Sequence, residues 1–239
     1  MKKFFLLSFL SISLFSCSSL ELEAVSSSEE ETQKILALGL SHEENLVEAS
    51  KLKSDHMISV VTLQLNNARD EKIKYQSDLI ESNKIAEMVI ASNDGLIFTG
   101  PEISNTISNI LSTSPVLQNY YLKGSKSSKN GALKHKLNIT YSYNSNKGRN
   151  YSSANLCDEW MRCEGVTSLA QELIVTSSKG TNCIASGCEF KEEMTLKLTD
   201  NFLKESINKG FTIRLNAKRK SNKIKVSKAY LMAYLQVAK

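Results

Sequence analysis

Four cysteines, Cys157, Cys163, Cys183 and Cys188, crowd into one 32-residue stretch of this 239-residue chain. Thiols at such spacing either oxidise to disulfides or hold a tetrahedral metal ion. Five residues separate the first pair and four the second, against the two to four usual between zinc ligands, and no His lies near. Two disulfides are therefore expected, and neither a metal nor another cofactor. Three pairings are open. Chain entropy gives about 2.4 kcal/mol for a local Cys157–Cys163 bridge and about 3.7 kcal/mol for a long Cys157–Cys188 one. That difference does not choose between them, and the local pairing is favoured because near neighbours collide more often.

The remaining reactive side chains do not assemble into a recognisable constellation. The chain has three histidines, His42, His56 and His135. His135 falls on the apolar face of a predicted strand, where a hydrogen-bonded core residue is the expectation. Ser-x-x-Lys occurs at Ser50–Lys53 and Ser206–Lys209, but a chain with 34 Ser and 25 Lys contains such pairs by chance. Glu192 and Glu193 point to opposite faces of a strand. There is no Gly-x-Ser-x-Gly elbow, no His-Glu-x-x-His and no phosphate-cradling glycine loop. No catalytic residue is assigned, and a non-enzymatic protein is expected.

Binding residues are easier to nominate. Trp160 and Arg162 lie inside the first cysteine loop, and an aromatic beside an arginine in a stapled loop is a common partner anchor; Trp160 packing over a disulfide is the competing structural role. The last 29 residues carry eight basic side chains and no acidic one, with Lys218, Arg219, Lys220 and Lys223 clustered. Such a cluster suits anionic lipid, an anionic glycan or an acidic partner. It also suits the charged tip of a hairpin, the simpler explanation. Charge is uneven along the whole chain: residues 17–94 hold 7 basic and 15 acidic side chains, and residues 95–239 hold 21 and 10.

These groups must be positioned by elements visible in the periodicity. Leu133, His135, Leu137, Ile139, Tyr141 and Tyr143 alternate with polar residues, the pattern of a strand with one wet face. A partner strand is expected from about Asn150, after the Asn146-Lys147-Gly148 turn. Phe190–Leu198, Phe211–Leu215 and Ile224–Val226 alternate likewise, with Asp200 expected to cap a short helix that Gly210 ends. Asn93-Asp94-Gly95 signals a hairpin. Met57–Leu65 reads as a strand headed by His56, 69–83 as a weak helix, and Ile103, Ile107, Ile110 and Leu111 as a surface helix. Ser41–Glu44 has the form of a capping box for a helix over 42–53, and 229–237 is ambiguous between strand and helix. The expected fold is mainly β, an antiparallel β-sandwich or jelly-roll-like body with a few short helices.

At the amino terminus, Lys2-Lys3 precedes an apolar run, Phe4–Phe15, that spans only about 18 Å as a helix and so falls short of a bilayer core. It reads as a signal peptide. Leu14-Phe15-Ser16-Cys17 resembles the lipobox of bacterial lipoproteins. The resemblance implies cleavage before Cys17, lipid on its thiol and anchoring in the bilayer, and Ser18 after the cysteine implies the outer membrane. With several acyl chains such an anchor is effectively permanent. Ser18–Thr32, with Ser-Ser-Ser-Glu-Glu-Glu, is expected to be a solvated tether. The expected division is 1–16 signal peptide, 17–32 lipidated cysteine and tether, and 33–239 β-rich domain, with 95–125 the place for any split. The order of elements from Cys157 to the end resembles the tails of uncharacterised proteobacterial envelope proteins, which brings no activity. The expected function is an exported envelope lipoprotein that binds or scaffolds another envelope component, a protein or anionic glycan. A surface-exposed host or ligand binder using the basic carboxyl-terminal region is the first alternative, a cell-wall or glycan hydrolase with a dispersed site the second. Export makes nucleic acid the least expected partner.

Overall fold

The structure is a computed structural model that describes residues 17–104, 116–158, 162–163, 173–184, 187–218 and 221–239. The predicted surface helix over 103–111 lies largely outside these residues. So does Trp160. The chain divides into two compact units, residues 1–76 and 77–239, rather than within 95–125.

The first unit is helical: α1 (Cys17–Ala37), α2 (His42–Ser50) and the opening part of α3 (Asp55–Ala86). Ile35, Ala49, Val61 and Leu65 form its core. The capping box at Ser41 is present, its hydroxyl accepting from Glu44 N while the Glu44 carboxylate accepts from Ser41 N at 2.9 Å. Two expectations are corrected here. The acidic stretch expected to be a solvated tether is helical from Cys17, and Ser28 and Thr32 are buried on its inner side. The strand expected over Met57–Leu65 is part of α3. Met57, Val61 and Leu65 are four apart, a spacing shared by a strand face and a helix face; Leu63, which only the strand would bury, is 60 % exposed.

The second unit is mainly β and wholly antiparallel. A six-stranded sheet, β1-β2-β3-β4-β7-β6, is built from β1 (Ile90–Ala91), β2 (Ile97–Thr99), β3 (Val116–Lys126), β4 (Leu133–Ser145), β6 (Leu173–Ile184) and β7 (Gly187–Thr199). A three-stranded sheet, β5-β8-β9, is built from β5 (Ser153–Cys157), β8 (Phe211–Asn216) and β9 (Ser221–Val226). The end of α3, α4 (Asp200–Glu205) and α5 (Lys228–Val237) also belong to it. The apolar sides of both sheets enter one core with Tyr230, Leu231, Tyr234 and Leu235 of α5. The hydroxyl of Tyr120 on β3 donates to Lys225 O on β9 at 3.1 Å, joining the two sheets.

Alternation in β4 does what the pattern required: Leu137, Ile139, Tyr141 and Tyr143 are buried while Lys134 and Lys136 face water. The Asn93-Asp94-Gly95 turn joins β1 to β2, with Gly95 at φ +66°. Thr199, not Asp200, caps α4, its hydroxyl accepting from Phe202 N at 3.2 Å. Gly210 follows at φ +71°, where a Cβ would strike the Val226 carbonyl, so only glycine fits. The ambiguous 229–237 is helix α5 with Ser227 as its cap; a helix apolar nearly all round has to be buried, as this one is. The strand expected to return alongside β4 instead crosses to the other sheet: β4 pairs with β3 and β7, and β5 pairs with β8.

Candidate binding surfaces

Both disulfides form, and both are local, Cys157–Cys163 and Cys183–Cys188. The second staples the tip of the β6–β7 ribbon. Beyond Ile174 nearly every residue of β6 is exposed or half-exposed, so this ribbon has little core of its own, and a two-stranded ribbon without a core is marginal in water. The covalent closure supplies what packing does not. Such bridges form and persist in an oxidising, exported compartment.

The first disulfide closes a loop at the end of β5. Arg162 is committed to that closure: its Nε donates to Asp158 Oδ2 at 2.7 Å, its N–H to Asp158 Oδ1 at 2.7 Å, and Asp158 N donates to Arg162 O at 2.8 Å. Arg162 is exposed and Asp158 half-buried, and such a pair at the surface contributes little to stability by itself. Cys157 sits away from the tip of the basic hairpin. Cys157 pairs across from Thr212, whereas the β8–β9 tip follows Asn216 and Ser221, opposite Ser153. Four residues along a strand separate them, about 13 Å. Arg162 and Lys218 therefore belong to opposite ends of the small sheet. Lys218 and Lys223 are exposed. Arg219 and Lys220, at the tip, lie outside the described residues.

The three-stranded sheet has a second property. β5, β8 and β9 contain no Asp or Glu. Their charged residues, Arg214, Lys223 and Lys225, all stand on the face away from the core, in successive cross-strand rows: Asn155, Arg214 and Lys223 in one, Cys157, Thr212 and Lys225 in the next. On the row toward the tip, Asn216 Nδ2 donates to Ser153 Oγ at 3.2 Å and Asn155 Oδ1 at 2.5 Å. On this face Lys223 and Lys225 are exposed, while Thr212 and the Nε of Arg214 are buried.

Among the described residues, two buried polar clusters are the nearest the second unit comes to catalytic groupings. Glu192 on β7 is fully buried, while Glu193 faces out, as the alternation required. The Glu192 carboxylate accepts from the Tyr143 hydroxyl, from Arg149 N at 2.9 Å, from Asn150 N at 3.1 Å and from Tyr151 N at 3.5 Å. Successive N–H groups curl around one oxyanion, with Asn150 at φ +55°. This grip on residues 149–151 is what turns the chain away from β4 toward the second sheet. Burial first, then the Glu192 bond, raises the Tyr143 hydroxyl far above its ordinary value, so it stays a proton donor to the carboxylate. The Arg149 guanidinium lies 4.9 Å from the Tyr143 ring centroid.

The other cluster links α5 to β4. His135 Nδ1 meets the Tyr234 hydroxyl at 2.9 Å, and Nε2 meets Asp200 Oδ1 at 3.2 Å; Asp200 also pairs with Lys204 at 2.7 Å. Burial holds His135 below the usual imidazole range, against the opposing pull of Asp200. Burial also works to raise Asp200, but the hydrogen bonds from Lys204 and His135 outweigh it and hold it below the usual carboxylate range. Tyr–His–Asp contact is a geometry that proton-transfer sites use, yet His135 and Tyr234 are both sealed in the core. A substrate cannot reach them. The cluster fastens the helix to the sheet, and Gly124 opposite His135 leaves the room it needs.

Comparison with models of protein families, with curated proteins and with solved structures yields no match in any of the three.

Proposed function

We propose that the protein is an exported, lipid-anchored binding module that holds an anionic envelope component, and that it works by association rather than by bond making. The observation that carries this reading is the outer face of the three-stranded sheet, where every strand charge is positive. Cations arranged on a rigid sheet suit carboxylate- or phosphate-bearing partners. The two disulfides favour an oxidising compartment. The lipobox-like Leu14-Phe15-Ser16-Cys17 supports anchoring by lipid on Cys17, at the outer membrane. The test is capture of envelope fractions on the immobilised full chain, compared with a Lys223→Glu/Lys225→Glu variant. Retention of one anionic component by the parent and its loss from the variant is the expected result; equal capture by both refutes the assignment of this face.

A further inference from the structure

The outer face of the six-stranded sheet carries a feature that sequence order conceals. In the registers of β3 with β4 and β4 with β7, Lys123 stands directly opposite Lys136, and Lys136 directly opposite Lys197. Three exposed lysines therefore form a straight row across three adjacent strands, one cation per strand, with Lys134 exposed in the neighbouring row. Directly opposed like charges on a sheet destabilise it. The nearest carboxylate on that face of β7, Glu193, is four residues away, about 13 Å, and is engaged by Lys191 at 2.8 Å.

The other neighbouring row is Tyr121, Asn138 and Thr195. Tyr121 is half-buried and offers a ring to this face. Thr195 Oγ1 donates to Asn138 Oδ1 at 3.0 Å, and one row further Asn119 Nδ2 donates to Glu102 Oε2 at 2.7 Å. An aromatic ring, an amide and a hydroxyl stand alongside the cation row.

We infer that this face binds an acidic polysaccharide carrying one carboxylate per sugar, laid across the strands. Cation spacing in the row is the strand separation, about 4.8 Å, comparable with the width of one sugar ring. The carboxylates meet Lys123, Lys136 and Lys197 in turn, and the sugar faces and hydroxyls lie toward Tyr121, Asn138 and Thr195. Each strand of duplex nucleic acid carries a charge about every 3.4 Å of axis, closer than the cations of the row. A bilayer needs only charge per area and gains nothing from a line. The inference goes beyond the proposed function, which concerns the other sheet.

The test is affinity electrophoresis of the full chain in gels containing polygalacturonate. Arms with fully methyl-esterified polymer, anionic phosphatidylglycerol vesicles and duplex DNA report on the competing ligands. Retardation by polygalacturonate but not by the esterified polymer is expected. Lys123→Gln/Lys136→Gln/Lys197→Gln should weaken binding about tenfold, three exposed charge contacts together, while Lys72→Gln/Lys74→Gln, exposed on α3, stays within about twofold. The triple arginine variant should retain binding, which separates lost charge from a damaged fold. Unchanged affinity in the triple glutamine variant overturns the inference. So does equal loss from both glutamine variants, or binding to vesicles or DNA as tight as to polygalacturonate. Loss confined to a further variant, Lys223→Gln/Lys225→Gln, would sink this inference while leaving the proposed function standing.

Discussion

Gly124→Ala tests the packing of α5 against the six-stranded sheet at a single atom. Gly124 sits in β3 opposite His135, and a methyl group there would overlap the Tyr234 hydroxyl and come within 3.1 Å of His135 Nδ1. The tyrosine must withdraw, which breaks its 2.9 Å contact with His135 in the core. Overpacking a core position costs about 1–3 kcal/mol. Stranding the buried imidazole nitrogen and phenol costs about another 1–3 kcal/mol. Alanine in place of glycine returns at most about 1 kcal/mol of strand stability. The net loss is centred near ~3 kcal/mol, and for a unit of this size it lowers the melting temperature by about 6–12 °C. Circular dichroism melts and urea titrations measure it. The decisive comparison adds Tyr234→Phe, which alone costs about 1–3 kcal/mol by unpairing His135. In the double variant the new methyl occupies the space the hydroxyl left, so the two costs should fall short of their sum by about 1 kcal/mol or more. A neutral Gly124→Ala, or costs that add within about 0.5 kcal/mol, would refute the reasoning.

Three further outcomes follow from the same structure. Because burial lowers the His135 pKa, the unfolded chain binds the proton first, so stability is full above the unfolded value of 6.5 and falls as pH drops from there toward the lower folded value; His135→Gln should flatten that slope in pH-dependent urea titrations, and an unchanged slope would disprove the assignment. Removing the Cys183–Cys188 bridge with serines should cost about 2 kcal/mol locally, seen as faster amide exchange over 176–190 with little change in the global melt; a collapse of the whole β unit would contradict the picture of a ribbon with little core. Cys17→Ala should release the protein from membranes on fractionation, and continued membrane association would remove the lipid anchor from the proposal.

Legibility in the sequence followed how local each interaction is. β4 and β7 could be seen because one face is wet and the other buried, so alternation survives over a dozen residues. The Asn93-Asp94-Gly95 hairpin was visible for the same reason, since a turn is specified by its own residues. The first strand was misread because Met57, Val61 and Leu65 satisfy both periods, and only the tertiary fate of Leu63 separates them. The course of β5 was hidden because it depends on Glu192, some forty residues downstream, gripping three backbone amides. Of the candidate binding residues, Lys218, Lys223 and Arg162 could be nominated from the sequence, but their separation on the small sheet is a matter of register. The Lys123–Lys136–Lys197 row is invisible in one dimension, its members being 13 and 61 residues apart.

The measurement that bears most directly on the proposed function is site-specific photo-crosslinking in living cells, with the photoreactive residue placed at Asn155 on the outer face of the three-stranded sheet. One recurrent anionic envelope component should be captured there, and Lys223→Glu/Lys225→Glu in the same protein should abolish the adduct. Capture that survives the charge reversal, or no recurrent adduct at Asn155, would contradict the claim that this face is where the protein binds.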